Sequence, residues 1–332
     1  MAAQKRHIAI DIGSSKTKIY IEKLGIVFNE ATLVAVDNND HKVVAVGDEA
    51  KKIIGKLTAN VYIKYPMKNG IITDMVICRL FLIHVLNKYK NEIKGGIVTL
   101  ACPVSVTKIE KEAIVTAIKK LGVTFVDVQN DIKLAALGAG INVTNVSAQL
   151  CLDIGGGKTT AGIISYNETL TTNLSKIGGN TIDFEIIKLL RQKNQISIGE
   201  ITAENIKNTI GALVKNKKPL TMTTYGYDLT TGMPSEISLS EDNISKIIIS
   251  TFNNITVLVT SVLEESQNEI AIDIIKNGLV VTGGVANISG IKYFLETYFE
   301  IPVFIAKKCS TAVIDGAIAY KNKSFELAEK NT

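Results

Sequence analysis

Cysteine and histidine are scarce in this sequence, and neither is arranged as a metal site. The four cysteines, Cys78, Cys102, Cys151 and Cys309, lie among apolar neighbours, and no two form a C-x-x-C pair. The three histidines are isolated from one another, so we do not expect a zinc site. The cysteines are predicted to be buried free thiols in a reducing cytosol.

The sequence also lacks long hydrophobic runs. No stretch reaches the roughly 18 apolar residues that a membrane-spanning helix needs, since the longest candidate, 247–263, is interrupted by Asn and Thr. Residues 1–13 contain no signal-peptide core before the first predicted strand. We therefore expect a cytoplasmic protein.

Arginine is rare, and this bears on the partners of the chain. The net charge is +5, but only Arg6, Arg79 and Arg191 are arginines, and none is clustered with aromatic residues. Nucleic-acid binding is therefore not expected. The abundant Lys, Asn and Ile are typical of AT-rich codons, which suggests a host with a reduced genome, with a wall-less cell as one alternative.

What the sequence does contain is the composition of a globular protein. It has 332 residues, of which 46% are hydrophobic and 21% charged. This length is too great for one ordinary core, so two domains are predicted.

One pattern occurs twice, about one domain apart, in 8-IAIDIGSSKTKIYI-21 and 151-CLDIGGGKTTAGII-164. Each copy has an apolar strand, Asp-Ile-Gly, two small residues, Lys-Thr and a second strand. The second copy is not a P-loop, because Leu152 stands where that motif needs its first glycine. Both copies are predicted to be β-hairpins whose glycines let backbone N–H groups approach a ligand.

Two such hairpins facing each other across a cleft could hold a polyphosphate. Asp11 and Asp153 would hold the water shell of a bridging Mg²⁺, because that cation keeps its waters. Lys16, Lys18 or Lys158 could add charge-assisted contacts. The remaining predicted phosphate contacts are Gly13, Ser14, Ser15, Gly155, Gly156 and Gly157.

A glycine turn at Gly283–Gly284 and another at Gly179 are predicted to cover the adenine and ribose. Glu204 and Lys207 are one helical turn apart and are predicted to hold the ribose and the purine edge. The alternative for this pair is a solvent-facing ion pair.

The remaining pattern predicts alternating strands and helices of an α/β protein. Predicted strand segments are 25–37, 42–47, 96–103, 124–129, 219–240 (a hairpin) and 278–284. Predicted helices are 48–55, 75–90, 105–122 with Ser105 or Thr107 as cap and Gly122 as stop, 131–140, 178–194, 202–213 with Thr202 as cap, 241–265, 290–299 and 310–321.

These residues together resemble the actin, Hsp70 and sugar-kinase superfamily and, within it, the bacterial actin homologues of the MreB family. The resemblance runs over nearly the full length, through 11-DIGSSKT-17, 25-GIVFNEATLVAV-36, 46-VGDEAKKIIGK-56, 66-PMKNGIITD-74, 103-PVSVTKIEKEAI-114, 134-LAALGAG-140, 153-DIGGGKTT-160, 202-TAENIK-207, 278-GLVVTGG-284 and 310-STAVIDGA-317. It implies an actin-like ATPase fold, with two similar RNase H-like domains around a nucleotide cleft, each with a smaller subdomain. It also implies ATP/ADP and Mg²⁺ as cofactors, and paired protofilaments that set cell shape.

The same resemblance implies domain boundaries. Domain I would be 1–148 with its small subdomain at about 33–72. Domain II would be 149–309 with its small subdomain at about 183–242, and 310–332 would return to domain I as a C-terminal helix.

The catalytic positions depart from the family pattern. Asp131 stands where the family usually has the Glu that positions the attacking water, and its side chain is one methylene shorter. Lys158 replaces the first Thr of the second loop, before Thr159, and a lysine cannot accept a proton as a hydroxyl does. Lys16 stands where the first loop usually has Asn. We therefore expect ATP to be bound well and hydrolysed slowly.

The membrane contact of the family is also expected to be weak here. Family members often insert a hydrophobic pair just before the strand at 96–102, whereas 90-KNEIKGG-96 offers only Ile93. One inserted Ile would supply at most about 2 kcal/mol, and lysines near anionic lipid about 1 kcal/mol each. The prediction is charge-dependent contact with the inner face of the membrane.

Other functions on the same fold remain open. A plasmid-segregation or pilus-type actin homologue is the nearest alternative, and motility would be the task in a wall-less cell. A small-molecule kinase would need an acceptor pocket with a substrate base, and no extra carboxylate motif indicates one. An Hsp70-like chaperone would need a peptide-binding domain, which the sequence does not show. Other cytoskeletal paralogues are possible partners.

Overall fold

The computed structural model describes residues 6–54 and 60–320, which form two compact units. The first unit lies within Met1–Thr144, Asn167–Thr169 and Thr311–Thr332, and the second consists of Asn145–Tyr166 and Leu170–Ser310. The end of the predicted helix 48–55 and the polar tail after 320 lie outside the described residues. The finer four-subdomain division stays a prediction.

The first unit is built on a five-stranded mixed sheet with a small sheet beside it. Its strands are β1 (His7–Ile12), β2 (Lys16–Ile21), β3 (Gly25–Ala31), β4 (Val34–Asp37), β5 (Val43–Val46), β6 (Val61–Lys64), β7 (Met67–Lys68), β8 (Ile71–Ile72), β9 (Ile97–Cys102) and β10 (Phe125–Asn130). Its first helices are α1 (Gly47–Lys52), α2 (Met75–Asn87), α3 (Lys90–Ile93), α4 (Lys108–Lys119) and α5 (Asp131–Gly138). The large sheet has the order β3-β2-β1-β9-β10, and the small one β5-β4-β6.

The second unit repeats this plan. Its strands are β11 (Gln149–Ile154), β12 (Thr159–Ser165), β13 (Glu168–Ser175), β14 (Ile196–Ser197), β15 (Thr221–Asp228), β16 (Pro234–Ser240), β17 (Leu279–Thr282) and β18 (Val303–Ile305). Its helices are α6 (Gly179–Asn194), α7 (Glu200–Ile210), α8 (Glu241–Glu264), α9 (Ala271–Asn277) and α10 (Ile291–Phe299), with short 3-10 turns at Asn268–Ile270, Gly284–Asn287 and Cys309–Thr311. The large sheet has the order β13-β12-β11-β17-β18, which is the topology of the first sheet.

The predicted strand 25–37 is in fact two strands in two different sheets. The chain turns at Thr32, whose N–H donates to the Ser15 carbonyl at 3.0 Å and whose hydroxyl donates to the Gly13 carbonyl at 2.7 Å. These bonds end the pairing of β3 and direct β4 into the small sheet. The alternating pattern of the sequence could not show the turn, since Thr is a good strand residue.

Two helix caps were predicted, and one is confirmed. Thr107 caps α4, because its hydroxyl accepts from the Glu110 N–H and the Glu110 carboxylate accepts from the Thr107 N–H. The predicted Thr202 cap is wrong, because α7 begins at Glu200 with Gly199 as its N-cap residue. Starting there places the acidic Glu200 in the first turn, where it suits the helix dipole.

Helix α8 is the one helix within the described ranges that is long and apolar enough to cross a membrane by length and composition. Its apolar side is nevertheless occupied by the core of the second unit, where Ile248, Phe252 and Val259 are fully buried. We regard it as a core helix, in line with the sequence analysis.

Helix α3 bears on the predicted membrane contact. Ile93 is only 1% exposed and belongs to the core of the first unit. It is therefore not available for insertion into lipid. The predicted weak, charge-dependent contact does not need this residue and stays a prediction.

The last described helix, α11 (Ala312–Ala319), belongs to the first unit and packs on α5 at very short range. A Cβ on Gly138 would overlap the Ala312 carbonyl oxygen, and one on Gly316 would overlap the Leu134 carbonyl oxygen. The two glycines therefore permit backbone-to-backbone contact between these helices.

Candidate functional site

The predicted phosphate hairpin of the first unit is confirmed as an antiparallel pair, β1 with β2. Its turn closes with a hydrogen bond from the Gly13 N–H to the Lys16 carbonyl at 3.1 Å. A Cβ on Gly13 would lie 2.6 Å from that carbonyl oxygen, so only glycine fits there. The Ser14 hydroxyl accepts from the Gly70 N–H at 2.8 Å, which fixes the tip of the turn.

The orientation of the peptide groups in this turn follows from their hydrogen bonds to Thr32. The carbonyls of Gly13 and Ser15 both point to Thr32. These peptide units are trans, and a trans unit points its N–H opposite to its C=O. The N–H groups of Ser14 and Lys16 are therefore turned away from Thr32, as an anion-binding turn requires.

The second hairpin, β11 with β12, is built in the same way. The Gly155 N–H donates to the Lys158 carbonyl at 2.9 Å. The carbonyls of Gly155 and Gly156 accept from the N–H groups of Gly179 and Asn180 at the start of α6, at 3.0 and 2.7 Å. By the same peptide geometry, the N–H groups of Gly156 and Gly157 point away from α6.

Two predicted catalytic residues of this hairpin are held by hydrogen bonds. Lys158 is only 8% exposed, and its Nζ donates to the Thr160 hydroxyl at 2.8 Å. Thr159 is fully buried, and its hydroxyl donates to the Ile177 carbonyl at 2.7 Å. That bond ties the strand to the segment leading into α6.

The predicted metal-side aspartates occupy equivalent strand positions but have different neighbours. Asp11 lies opposite Lys18, with Lys18 Nζ 3.2 Å from Asp11 Oδ2. Asp153 lies opposite Thr160, and its Oδ1 accepts from the Thr282 hydroxyl at 2.9 Å. The sequence predicted Lys18 as a phosphate contact but did not predict its pairing with Asp11.

The predicted water-positioning residue lies at the same sheet edge as Asp11. In the parallel strands β1, β9 and β10, Asp11 is in register with Ala101, and Ala101 with Gln129. Asp131 follows two residues later as the first residue of α5 and is 5% exposed. The carboxyl ends of parallel strands are the usual place for a ligand in α/β folds.

The predicted adenine and ribose side of the second unit contains a buried ion pair. Lys207 Nζ lies 2.9 Å from the Asp183 carboxylate and donates to the Gly179 carbonyl at 3.3 Å. Burial raises the pKa of Asp183, and the Lys207 ammonium opposes that rise. The alternative of a solvent-facing Glu204–Lys207 pair is therefore wrong for Lys207, which is 7% exposed.

Asp183 was missed by the sequence analysis. The one available signal is its position, one helical turn after Gly179 and between the buried Ile182 and Ile186 of α6. A carboxylate among fully buried residues indicates a charged partner.

The glycine turn after β17 completes this cluster. Gly283 has φ +89°, its N–H donates to the Cys309 carbonyl at 2.9 Å, and a Cβ on it would overlap the Ile154 carbonyl oxygen. Gly284 faces open space. Ile154 also immediately precedes the Gly155 turn, so the second unit brings Asp153, the Gly155–Gly157 turn, Gly179, Lys207 and Gly283 together.

All four cysteines are free and buried, as predicted. Burial raises the pKa of Cys78 to about 12 and also raises that of Cys309. Within residues 6–54 and 60–320 no three His, Cys, Asp or Glu side chains come together as a metal cage.

A family model described as MreB/Mbl protein matches residues 5–329. The chain belongs to the MreB/Mbl family. It is 31% identical to the cell shape-determining protein Mbl of Bacillus subtilis over 94% of each chain. It is also 31% identical to the cell shape-determining protein MreB of Escherichia coli K12, over 97% of this chain and 94% of that one.

Solved structures confirm the predicted actin-like ATPase fold. MreB5 of Spiroplasma citri bound to AMPPNP superposes with a TM-score of 0.93 at 34% identity, covering 99% of this chain and 100% of that one. The MamK double helical filament has a TM-score of 0.77 at 17% identity, covering 98% and 99%, and shows the fold alone. The family and the fold therefore agree with the sequence-based resemblance.

Proposed function

We propose that this chain is an actin-like cytoskeletal protein that binds ATP and polymerises into filaments governing bacterial cell shape. The observation that carries the proposal is that the turns of the two hairpins have the same construction. In each turn two carbonyls are held by hydrogen bonds, so the N–H groups of the same peptide units point the opposite way. These N–H groups belong to Ser14, Lys16, Gly156 and Gly157. Such N–H groups bind phosphate without a choice of rotamer. The family relatives carry the name cell shape-determining protein, and MreB5 was solved with AMPPNP and with ADP.

The roles of the remaining residues follow from their chemistry. Asp11 and Asp153 would hold the water ligands of Mg²⁺, which would supply positive charge to the phosphates when bound. Gly13, Ser15 and Gly155 shape the turns around the phosphates. Gly179, Gly283 and Gly284 form the floor for adenine and ribose, and Glu204 with Lys207 contacts the ribose and the purine edge.

Hydrolysis in this chain is proposed to be slow. Asp131 is the carboxylate that orients the attacking water, and its shorter side chain holds the water farther back than Glu would. Lys158 carries no acceptor and is bound to Thr160. Thr159 directs its hydroxyl proton to the Ile177 carbonyl, so it contributes position and not proton transfer.

Single-turnover phosphate release tests this proposal. The double substitution Asp131→Glu with Lys158→Thr should raise the rate on the order of 100-fold, because a small misplacement of a reacting group costs that much. Asp131→Asn keeps the shape, removes the charge and should release almost no phosphate. Equal and fast release from the wild type and the double variant contradicts slow hydrolysis.

The filament proposal is tested separately by pelleting with and without ATP. Nucleotide-dependent sedimentation is expected, with paired protofilaments by electron microscopy. A soluble monomer that phosphorylates a small molecule would favour the kinase alternative. The same polymer could serve motility in a wall-less cell or plasmid segregation, and it could act together with paralogues. Localising the protein in its own cell distinguishes these roles.

A further inference from the structure

Among the positions at which the second strands of the two hairpins differ, one changes the charge beside the aspartate. The residue opposite the aspartate is Lys18 in the first hairpin and Thr160 in the second. The first hairpin therefore contains its own cation beside Asp11. The second hairpin has only a hydroxyl at the matching place.

Lys18 is held in a part-buried ion pair. Its Nζ lies 3.2 Å from Asp11 Oδ2, and the two side chains are 13% and 12% exposed. Charges so shielded from water interact more strongly than exposed pairs. The ammonium thus neutralises Asp11 at the edge of the sheet where the phosphate turn begins.

We propose that Lys18 is a built-in counter-ion that lets this chain bind ATP and ADP with little dependence on a divalent cation. The proposal rests on the nucleotide site proposed above. An Asp11 carboxylate without Lys18 would repel the phosphates and would need Mg²⁺ to bridge the two. With Lys18 in place, the ammonium supplies part of that positive charge, and one carboxylate oxygen is already engaged.

The second hairpin also has a buried ammonium, which comes from a different strand position. Lys158 extends its Nζ to the Thr160 hydroxyl, 2.8 Å away, and so places a buried ammonium beside the residue that matches Lys18. Each hairpin therefore carries one shielded ammonium near its second strand. This supports electrostatic neutralisation by the protein itself.

The test is the ratio of the Kd for ADP in EDTA to the Kd in Mg²⁺, measured by calorimetry on the full chain and repeated with AMPPNP. In the wild type this ratio should be below about tenfold. That value is at the low end of the roughly 5- to 150-fold coupling that is typical between two ligands. Lys18→Met should raise the ratio by about fivefold or more, mostly through weaker binding in EDTA. The matched control is Lys23→Met, an exposed lysine in the turn after the same hairpin, and it should leave the ratio unchanged.

The possible outcomes distinguish the proposed role of Lys18 from the proposed nucleotide site. A wild type that binds ADP only with Mg²⁺, or a Lys18→Met ratio equal to that of the wild type, overturns the role of Lys18 while the nucleotide site stands. No binding under either condition overturns the nucleotide site itself. If Lys18→Met fails to fold, Lys18→Thr replaces it, because Thr is the residue at this position in the second hairpin. Lys18→Thr must then raise the Kd ratio in the same way. The double variant Lys18→Thr with Asp11→Asn must bring the ratio back down, because it also removes the carboxylate charge.

Discussion

At the residue scale, the two glycines after β17 have opposite tolerance for a side chain. Gly283 has φ +89°, and a Cβ there would overlap the Ile154 carbonyl oxygen, whereas Gly284 has open space around it. Gly283→Ala should lower the free energy of unfolding by about 1–3 kcal/mol or more through backbone strain. Gly284→Ala should change it by less than about 0.5 kcal/mol. Urea denaturation of both variants is the measurement, and equal stabilities would contradict the assigned backbone strain.

The sequence indicated candidate residues at this scale, but it did not predict their contacts. Lys207 was singled out from its spacing to Glu204, but its ion-pair partner in the structure is Asp183, on another helix. Lys18 and Asp11 were both noticed, and their pairing depends on strand register. Contacts between positions far apart in the chain arise only when the elements have packed, so local spacing could not supply them.

At the scale of elements, the contact between α5 and α11 depends on two glycines. A Cβ on Gly138 or on Gly316 would overlap a backbone carbonyl of the facing helix, and a helix backbone cannot yield as a flexible side chain can. Gly138→Ala and Gly316→Ala should each destabilise the protein by about 1–3 kcal/mol, although Ala is the better helix former.

Thermal unfolding measures this effect, with Gly284→Ala as the control. Gly284 has nothing within 4 Å of the added Cβ and no positive φ. Alanine there should be neutral. If the two helix variants were as stable as the control, the backbone contact between α5 and α11 would be less close than described.

Most elements could be predicted, because their periodicity is local. The two hairpins, the strands at 96–103 and 124–129 and the long helix α8 all occur where the sequence indicated. The turn at Thr32 and the start of α7 at Glu200 could not be predicted from single residues. At Thr32, hydrogen bonds to the distant carbonyls of Gly13 and Ser15 determine the turn. Helix α7 begins three residues earlier than a Thr202 cap would place it, with Gly199 as a cap that has no side chain to signal it.

At the scale of the whole molecule, the two large sheets have the same topology, so the likeness of the two halves extends beyond the two predicted hairpins. Each half of the chain builds a five-stranded sheet that contains its hairpin. The repeat also shows where the two hairpins differ. Lys18 and Thr160 can be compared because each lies opposite the aspartate of its own hairpin.

The outer surface of the first unit gives the last prediction, which concerns anionic lipid. Lys90 and Lys94 are exposed beside Lys119 and Lys120, since the Gly95 N–H donates to the Gly122 carbonyl at 2.7 Å. We call these four the lysine patch. Ile93 is buried beneath it and offers no anchor. Lipid contact should therefore be electrostatic and should weaken steeply with salt.

The lysine patch can be tested by pelleting the protein with vesicles containing phosphatidylserine. Lys94→Glu with Lys120→Glu should reduce binding on the order of tenfold or more, since each lysine near such a surface contributes about 1 kcal/mol. The matched control is Lys217→Glu with Lys218→Glu, which makes the same charge change on the second unit. Ile93→Ala should leave lipid binding unchanged but cost about 2–5 kcal/mol of stability as a core truncation. Binding that persists in high salt, or that falls equally in the control, would place the lipid contact elsewhere on the protein.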